Sequence, residues 1–247
     1  MRLMIPLAVF MFFVSACVTE PPIEDPTPMA ARCNEAAEVA CVDDLILDLS
    51  LHDDRVTRGQ VISALDGDDV QVVVDATAGG FGQEANHPFV YVRLTPQGAE
   101  RVDIDDETAL ESMDWDLAFR RFLVRINSGN SGPGCTEAAR VSGFEYEQIS
   151  SEPSGLDFTV DDYYDNTCLL MSDNSGLETP ALALASWWSY SSCVACTMTP
   201  YVLRLSDGRT IKLRLESYYE SGQSNCDDFG TPGTNGGTIG LRYRDLP

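Results

Sequence analysis

Alternating apolar residues on either side of an Asp-Gly pair give the strongest constraint on the fold. Every second position is apolar in two segments, which contain Tyr201, Leu203 and Leu205 before the pair and Ile211, Leu213 and Leu215 after it. A two-residue turn would place Leu203 opposite the charged Lys212. A three-residue loop over 206–208 instead pairs Leu203 with Ile211 and keeps one face apolar. The pattern therefore predicts a β-hairpin with a type I turn and Gly208 in the left-handed region.

Further strand signals follow along the chain, and helical periodicity is weak throughout. Runs of β-branched and aromatic residues between Gly, Pro and Asp, and a closing strand after a glycine-rich loop, are found at 70–74, 89–94 and 238–244. The stretch 115–126 also alternates, but its phase changes in the middle, which predicts a bulge or bend at Arg120 and Arg121. The sequence thus predicts an all-β, mostly antiparallel fold with few short helices.

The same alternation predicts that Trp115 belongs to the core. It places Trp115 on one face with Leu117 and Phe119, and Asp116 on the other face. We expect Asp116 to hold backbone groups or the neighbouring Asn-Ser-Gly loop in place. Trp115 should therefore support the scaffold rather than contact a ligand.

The N-terminal segment predicts export and lipidation. Arg2 precedes an apolar stretch over 4–16, which is too short to span a bilayer as a mature helix and has the form of a secretory signal peptide (1–16). Its end, Val14-Ser15-Ala16-Cys17, resembles a bacterial lipobox, so Cys17 is the predicted lipidation site. An ordinary signal peptide with an incidental Cys17 is the alternative. Val18 replaces the Asp that retains lipoproteins in the inner membrane, so we expect an outer-membrane lipoprotein on the periplasmic or cell-surface face.

Composition after the signal peptide excludes one class of partner. Residues 17–32 are rich in proline and acidic residues and predict an extended tether, which leaves 33–247 for a single β domain. Without 1–16 the chain has 15 Lys and Arg against 39 Asp and Glu, a net charge of −24. Such a surface repels nucleic acid, so the expected membrane partner is contacted through the lipid anchor alone.

Seven cysteines follow Cys17, an odd number that leaves at least one unpaired within the chain. An oxidising compartment favours disulfides, and we expect Cys33, Cys41, Cys193 and Cys196 in the paired set. Cys33 and Cys41 bracket an Ala- and Glu-rich stretch that could form one or two helical turns closed by a local disulfide. A metal or redox role for the Cys193-x-x-Cys196 motif is the alternative, although no second Cys pair or nearby His completes a zinc set.

No constellation in the sequence predicts an enzyme. The segment 129–133 contains Gly-Asn-Ser-Gly-Pro, which is reminiscent of a serine nucleophile, but no family context supplies a histidine base. Acidic clusters at 103–107 and 161–165 could bind calcium, but neither follows EF-hand spacing. Turns and solvated loops are the simpler interpretation, and a hydrolase would need a carboxylate pair or a Ser–His pair in one cleft.

A few residues could ligate haem iron, namely His87, His52, Met113 and Met198. No Cys-x-x-Cys-His motif is present because Thr197 follows Cys196, so any haem would be held noncovalently. The acidic surface repels haem propionates, and retention would need an apolar slot and nearby arginines. Trp187, Trp188 and Tyr190 could line such a slot, or be ordinary core residues.

A longer set of motifs resembles the HmuY family. Its central part reads Asp-Trp-Asp-Leu-Ala-Phe-Arg-Arg-Phe at 114–122 and continues to Asn-Ser-Gly-Asn-Ser-Gly at 127–132. Further matching segments occur in the family's order, at 89–92, 188–190, 201–204, 207–209, 217–219 and 237–243. The resemblance covers about residues 70–244, which makes it far more specific than any single motif.

The resemblance implies an all-β fold, a lipid anchor on the outer membrane, and haem capture for a TonB-dependent transporter. Haem-binding relatives use a pair of His or Met ligands. In this chain Arg120 and Arg121 occupy the step after Phe119 where relatives can have His, and 191–199, where another ligand is expected, contains no His. The resulting hypothesis is a non-enzymatic envelope lipoprotein that binds haem noncovalently for uptake. The alternative is a disulfide-stabilised interaction module at the cell surface that binds no haem.

Overall fold

The structure, a computed structural model, describes residues 30–173, 175, 177 and 179–247. The predicted signal peptide (1–16), the lipidation site Cys17 and most of the predicted tether (17–32) lie outside the described residues. These features, and the single domain expected over 33–247, therefore stay predictions.

Strands account for most of the regular structure. In chain order the described residues contain β1 (Val61–Asp66), β2 (Asp69–Asp75), β3 (Val90–Thr95), β4 (Gly98–Val102), β5 (Leu117–Arg120), β6 (Leu123–Ile126), β7 (Glu137–Arg140), β8 (Trp188–Tyr190), β9 (Val194–Cys196), β10 (Pro200–Arg204), β11 (Thr210–Tyr219) and β12 (Gly236–Asp245). The α-helices among them are short: α1 (Val42–Asp48), α2 (Asp106–Ala109) and α3 (Ser224–Phe229). None of these helices is long and apolar enough to cross a membrane.

The strands form antiparallel sheets. A six-stranded sheet has the order β1-β2-β12-β11-β10-β7, a four-stranded sheet has the order β4-β3-β5-β6, and β8 pairs with β9. Every pairing between these strands is antiparallel. The strands expected at 70–74, 89–94 and 238–244 correspond to β2, β3 and β12. The prediction of an all-β, mostly antiparallel fold with few short helices is confirmed.

The main core lies between the two larger sheets. The six-stranded sheet contributes aliphatic side chains such as Val72, Val74, Leu213 and Leu241, and the four-stranded sheet contributes Val92, Leu117 and Phe119. Alternate residues of the four-stranded sheet face the other way, into a second cluster with Leu45, Phe89, Tyr91, Trp115 and Tyr163. Burial of these apolar side chains on both faces is the main source of stability of the sheet.

Trp115 is buried as expected, with 1% of its surface exposed, but it packs on the unexpected face. Its indole Nε1 donates a hydrogen bond to the carbonyl oxygen of Ala109 at 3.0 Å. Its ring meets the Tyr91 ring edge-on, with 5.1 Å between the centroids. The predicted grouping with Leu117 and Phe119 is wrong because β5 begins only at Leu117, so strand alternation does not extend back to Trp115.

Asp116 ties down the backbone around this tryptophan. Its Oδ2 accepts a hydrogen bond from the Leu94 backbone N–H at 2.7 Å, which joins the segment before β5 to β3. The side-chain amide of Asn127, at the start of the Asn-Ser-Gly loop, donates to the carbonyl oxygen of Trp115 at 2.8 Å. Burial raises the pKa of Asp116 to about 6.

The phase change within 115–126 marks a chain reversal. β5 and β6 form a hairpin in which Phe119 lies opposite Val124 and Arg120 lies opposite Leu123. Arg121 and Phe122 make the turn, and Arg121 has a φ of 54°. The predicted bulge or bend at Arg120 and Arg121 within one strand is therefore wrong. Residues directly opposite each other in an antiparallel pair share a face, so 119 and 124 can have opposite parity without a bulge.

The C-terminal hairpin has the predicted register. Leu203 lies opposite Ile211 in the pairing of β10 with β11. The Gly208 N–H donates to the carbonyl oxygen of Leu205 at 3.1 Å, which closes the three-residue loop. Gly208 has a φ of 96°, in the region that side chains with a Cβ rarely adopt.

The structure contains disulfides that differ from the expected local ones, namely Cys33–Cys135, Cys41–Cys168 and Cys193–Cys226. The expected bridge between Cys33 and Cys41 is wrong, and no helix lies between them. Because this segment is irregular and α1 begins only at Val42, the two sulfurs are not brought together by helical turns. Each cysteine instead fastens the N-terminal segment to a distant part of the chain.

Cys196 was expected in the paired set but is a buried free thiol. Cys193 directly precedes β9 and Cys196 ends it. Residues three apart along an extended strand point to opposite faces and are about 10 Å apart, so this Cys-x-x-Cys motif cannot close on itself. Cys193 instead reaches Cys226 on α3.

We predict that Gly208→Val lowers the free energy of unfolding by about 1–2 kcal/mol, because a β-branched residue is strained at positive φ. Gly208→Asn is the matched control, since Asn tolerates the left-handed region and should stay close to wild type. Urea unfolding of the three proteins measures the difference. Equal stabilities of Gly208→Val and wild type would contradict the turn geometry.

We also predict one free thiol per exported chain after Cys17 has been lipidated, and we expect it to be unreactive in the folded state. Burial raises the pKa of Cys196 to about 12, so little thiolate forms at neutral pH. Thiol titration without reductant should therefore detect this group only after denaturation, and Cys196→Ser should remove it. Two or more thiols in the denatured wild-type chain would contradict the disulfide pattern.

Candidate ligand-binding cleft

A cleft of about 960 Å³ opens beside the outer face of the six-stranded sheet. Its side chains are mainly apolar or aromatic around one cation, and they include Ile62, Val73, Phe81, Arg121, Phe122, Tyr190, Val194, Tyr218 and Tyr219. A volume and lining of this kind are typical of sites for small organic molecules and cofactors. We therefore treat this cleft as the candidate functional site.

The floor of the cleft is an apolar patch on two neighbouring strands. Ile62 of β1 lies directly opposite Val73 of β2, and both side chains point away from the core. They are 60% and 45% exposed, which is unusual for paired β-branched residues at the centre of two strands. Neighbouring Val72 and Val74 are buried on the opposite face. The sheet is therefore apolar on both faces at this point, and the outer face needs a partner to be covered.

Tyr218 and Tyr219 line the cleft at the end of β11. Adjacent residues in a regular strand point to opposite faces, but the register of β11 against β12 shifts between Leu215 and Ser217 and again between Ser217 and Tyr219. These irregularities let both tyrosines reach the same cleft. Their rings meet edge-on with 4.9 Å between the centroids.

Two segments from different parts of the chain form the walls. The turn residues Arg121 and Phe122 lie on one side, and Tyr190 and the segment 192–194 lie on the other. Trp188 packs behind Phe122 with 4.7 Å between the ring centroids. These two walls are the regions in which the family resemblance located iron ligands, and the structure brings them into one site.

A glycine-rich loop contributes the most exposed aromatic ring of the lining. Phe81 is 90% exposed and lies between Gly80 and Gly82, which have φ values of 98° and 75°. Those backbone angles are open to glycine and strained for other residues, so glycines are required for the loop to present Phe81 in this way.

Arg121 is the cation of the cleft lining. Its Nη1 donates to the carbonyl oxygens of Gly236 and, at 3.5 Å, of Thr77. Its guanidinium carbon lies 5.5 Å from the centroid of the Tyr218 ring. Within the described part of the chain Arg121 forms no salt bridge, although Asp75 and Glu220 also line the cleft.

The Tyr218 hydroxyl is buried beside the Arg121 side chain, which can only donate to it, and its O–H has no acceptor among the described residues. Only 2% of the Tyr218 surface is exposed, and burial raises the pKa of this phenol to about 12, against the opposing effect of the Arg121 charge. Tyr219 differs, since its hydroxyl accepts a hydrogen bond from the Val194 backbone N–H at 2.9 Å. A buried O–H without an acceptor costs stability, so the one at Tyr218 calls for an explanation.

None of the four candidate iron ligands lines the cleft. His52 Nε2 lies 3.2 Å from the carbonyl oxygen of Ala85, Met113 is half-buried before β5, and Met198 is exposed between β9 and β10. His87 lines a neighbouring pocket that shares Asp75, Thr77 and Gly79 with the cleft. Its imidazole fills the space in which a side chain at Gly79 would lie.

The aromatic residues that were expected to line a slot have two different positions. Tyr190 lines the cleft. Trp187 and Trp188 are core residues, and the Trp187 indole donates a hydrogen bond to the carbonyl oxygen of Phe122 at 3.0 Å. Both tryptophans therefore support the wall of the cleft from behind.

The Gly-Asn-Ser-Gly-Pro segment at 129–133 has a structural role, because Ser131 holds its loop in place. The Ser131 hydroxyl donates to Asp161 Oδ2 at 2.6 Å and lies 3.2 Å from the Tyr163 hydroxyl, and no histidine is among its partners. Asp161 also accepts hydrogen bonds from the backbone N–H groups of Ile126 and Ala183. Burial raises the pKa of Asp161 to about 6.

The acidic cluster 103–107 is also committed to backbone contacts. Asp105 caps α2 by accepting the Thr108 N–H at 2.8 Å, and buried Asp106 accepts the Phe89 N–H at 2.9 Å. Among the described residues no group of three or more His, Cys, Asp or Glu side chains is placed to hold a metal ion.

Sequence reasoning did not single out several lining residues, namely Ile62, Val73, Phe81, Tyr218 and Tyr219. One usable signal was the uninterrupted apolar run 72–74, since a strand with one solvated face should have a polar residue at 73. The other was Phe81 among glycines at 79–82, where an exposed ring has no local structural role.

Solved structures that match this chain in part come from Bacteroides and Tannerella species. The match to a Bacteroides fragilis protein has 20% identity and a TM-score of 0.47, and it covers 74% of this chain and 92% of the Bacteroides fragilis chain. A HmuY-like protein from Bacteroides vulgatus has 16% identity and a TM-score of 0.45, with 71% and 91% coverage. The apo HmuY analog of Tannerella forsythia has 14% identity and a TM-score of 0.38, with 78% and 100% coverage.

No curated protein matches the sequence. The family model described as HmuY protein matches residues 85–229, which is more than half of the chain. This match includes the turn of Arg121 and Phe122, the wall at 190–194 and the tyrosines at the end of β11. The chain therefore belongs to the HmuY family.

Proposed function

We propose that the chain is a non-enzymatic lipoprotein of the cell envelope that binds haem noncovalently in the cleft and passes it to a TonB-dependent transporter. The observation that carries the proposal is the convergence of two segments. The step after Phe119 and the segment 191–199 are the places where the resemblance points to ligands in haem-binding relatives, and both contribute walls to one cleft.

The side chains of the cleft fit a flat apolar macrocycle with acidic substituents. Ile62, Val73 and Phe122 offer apolar faces, and Tyr190 and Phe81 add exposed rings. Such surfaces gain free energy when a planar ligand covers them. Arg121 would offset the repulsion between haem propionates and the acidic protein.

Bound haem would supply a redox-active iron, and the lining offers a phenol rather than His or Met to meet it. Tyrosine is an established kind of axial ligand. Tyr190 lines the cleft with 53% of its surface exposed, so its hydroxyl is accessible without unfolding the core. The apolar lining would hold the macrocycle, Arg121 would hold the carboxylates, and the Tyr190 hydroxyl would be available to the iron.

A second candidate is an interaction module that binds no haem. The placement of His52, His87, Met113 and Met198 outside the cleft lining favours it. In that case the apolar floor of the cleft would contact another molecule of the envelope.

We predict that the purified mature chain shifts the Soret band of haem with saturable 1:1 stoichiometry, and that Val73→Trp weakens binding by about tenfold or more, because the indole fills the floor of the cleft. Gln71→Trp is the matched control, since Gln71 is the next exposed residue on the same face of β2 but lies outside the cleft. The absence of a spectral change with excess haem, oxidised or reduced, would overturn the proposal.

We also predict that a palmitate analogue labels the protein in cells through Cys17, because the predicted lipobox makes this cysteine the acylated residue. Two or three acyl chains would then anchor the protein stably. Cys17→Ala should abolish the label and release the protein to the soluble fraction. Cys196→Ala is the control and should keep both the label and the membrane association. Membrane association of the Cys17→Ala protein would contradict the lipid anchor.

A further inference from the structure

The Arg121 guanidinium has no carboxylate partner among the described residues. The group carries five N–H donors, and the hydrogen bonds to the carbonyl oxygens of Gly236 and Thr77 both use Nη1. Nε and Nη2 donate to no carbonyl or carboxylate oxygen of the described residues, and the guanidinium also interacts with the oxygen of the Tyr218 hydroxyl. This pair of donors has the spacing that binds the two oxygens of one carboxylate.

The Tyr218 hydroxyl is a second unused donor beside the first. The hydroxyl is buried, Tyr218 is one of the residues that line the cleft, and its ring lies under the Arg121 guanidinium. A buried O–H without an acceptor in the protein destabilises the fold. A ligand oxygen next to Arg121 would give it an acceptor.

We propose that Arg121 and Tyr218 form a carboxylate subsite, so that the cleft selects flat aromatic molecules that carry a free carboxylate. This inference rests on the proposed function and specifies which part of the ligand is recognised. The carboxylate accepts hydrogen bonds from Nε and Nη2 of Arg121 and from the Tyr218 hydroxyl. The aromatic body of the ligand covers the apolar floor at Ile62 and Val73.

The charges around the cleft sharpen this selection. Asp75 and Glu220 also line it, and Glu220 is already engaged by the side-chain amide of Asn235. A ligand carboxylate near Asp75 or Glu220 would be repelled, and elsewhere in the cleft it would meet mainly apolar or neutral side chains. A ligand with its acid groups esterified loses the contact with Arg121 and gains nothing in exchange.

The test compares acids with their esters. Haem and haem dimethyl ester are titrated by Soret absorbance, and pyrenebutyrate and its methyl ester are titrated by fluorescence. We expect the affinity of each acid to be at least about ten times that of its ester, because the acid alone can form charge-assisted hydrogen bonds. Equal affinities for acid and ester would overturn the inference.

Two substitutions of Arg121 separate charge from geometry. Arg121→Gln should lower the affinity for both acids by about tenfold or more and leave the affinity for the esters nearly unchanged. Arg121→Lys keeps the charge without the two-pronged contact and should fall between wild type and Arg121→Gln. Arg140→Gln is the matched control, because Arg140 is exposed on β7 outside the cleft. Equal losses for acids and esters in Arg121→Gln would contradict the subsite.

Tyr218→Phe has a readout that does not depend on haem. The substitution should weaken binding of the acids yet raise the Tm of the ligand-free protein by about 2–4 °C, because a buried O–H without an acceptor is removed. Tyr146→Phe is the control, since its buried hydroxyl donates to Asp69 at 3.1 Å, and it should lower Tm and leave affinity unchanged. A fall in Tm for Tyr218→Phe would overturn the role of Tyr218.

The two proposals fail in different ways. Selective binding of pyrenebutyrate without any binding of haem would overturn haem as the ligand and support the carboxylate subsite. Binding of haem and its ester with equal affinity would support the haem proposal and overturn the subsite. No binding of any of the four compounds would overturn both.

Discussion

The two-residue turn between β5 and β6 is the constraint on which both the scaffold and the cleft depend. Arg120, just before the turn, is buried and donates hydrogen bonds to the consecutive carbonyl oxygens of Leu49 and Ser50. Burial lowers its pKa to about 10, which still leaves it charged at neutral pH. Arg121 has a positive φ, and its side chain lines the cleft. Arg120 therefore stabilises the scaffold and Arg121 lines the cleft, because β5 ends at Arg120 and the turn begins at Arg121.

The other polar side chains of the central motif are used to hold this turn in place. Asp161 accepts hydrogen bonds from Ile126 in β6, from Ala183 and from the Ser131 hydroxyl, so one buried carboxylate fixes three separate segments. Arg125 is fully buried beside it and donates to the Ser131 carbonyl oxygen at 2.6 Å. The nearby charges of Asp106 and Asp161 and these hydrogen bonds offset part of the cost of burying Arg125. Their chemistry is therefore committed to the scaffold, which leaves the cleft as the place for ligand binding.

The sequence predicted features that depend on local patterns and failed where distant segments meet. The hairpin at Gly208 was predictable down to its register, because a slip of one residue would have put Lys212 opposite Leu203. The turn at Arg121 was mistaken for a bulge, because a change of phase has the same appearance in a bent strand and in a tight hairpin. The pairing of Cys33 with Cys135 could not be derived, since connectivity depends on the fold and not on spacing. Of the cleft, the family resemblance had pointed to the step after Phe119 and to segment 191–199 as ligand positions, and Tyr190 was a candidate aromatic lining residue. The floor was not predicted.

The floor and the Tyr218 hydroxyl escaped prediction for a common reason, which is that both break the rules by which folded chains are stabilised. A strand that is apolar on both faces, like β2 at Val73, leaves a surface that water solvates poorly. A buried O–H without an acceptor, like that of Tyr218, lowers stability by about 1–3 kcal/mol. Sequence rules assume that each residue stabilises the isolated chain, so they misjudge residues whose partner is another molecule. The apolar floor and Tyr218 lie in one cleft beside Arg121, a cation without an ion pair in the described structure. Apolar surface, unused donors and unpaired charge at a single location are best accounted for by one amphipathic acidic ligand.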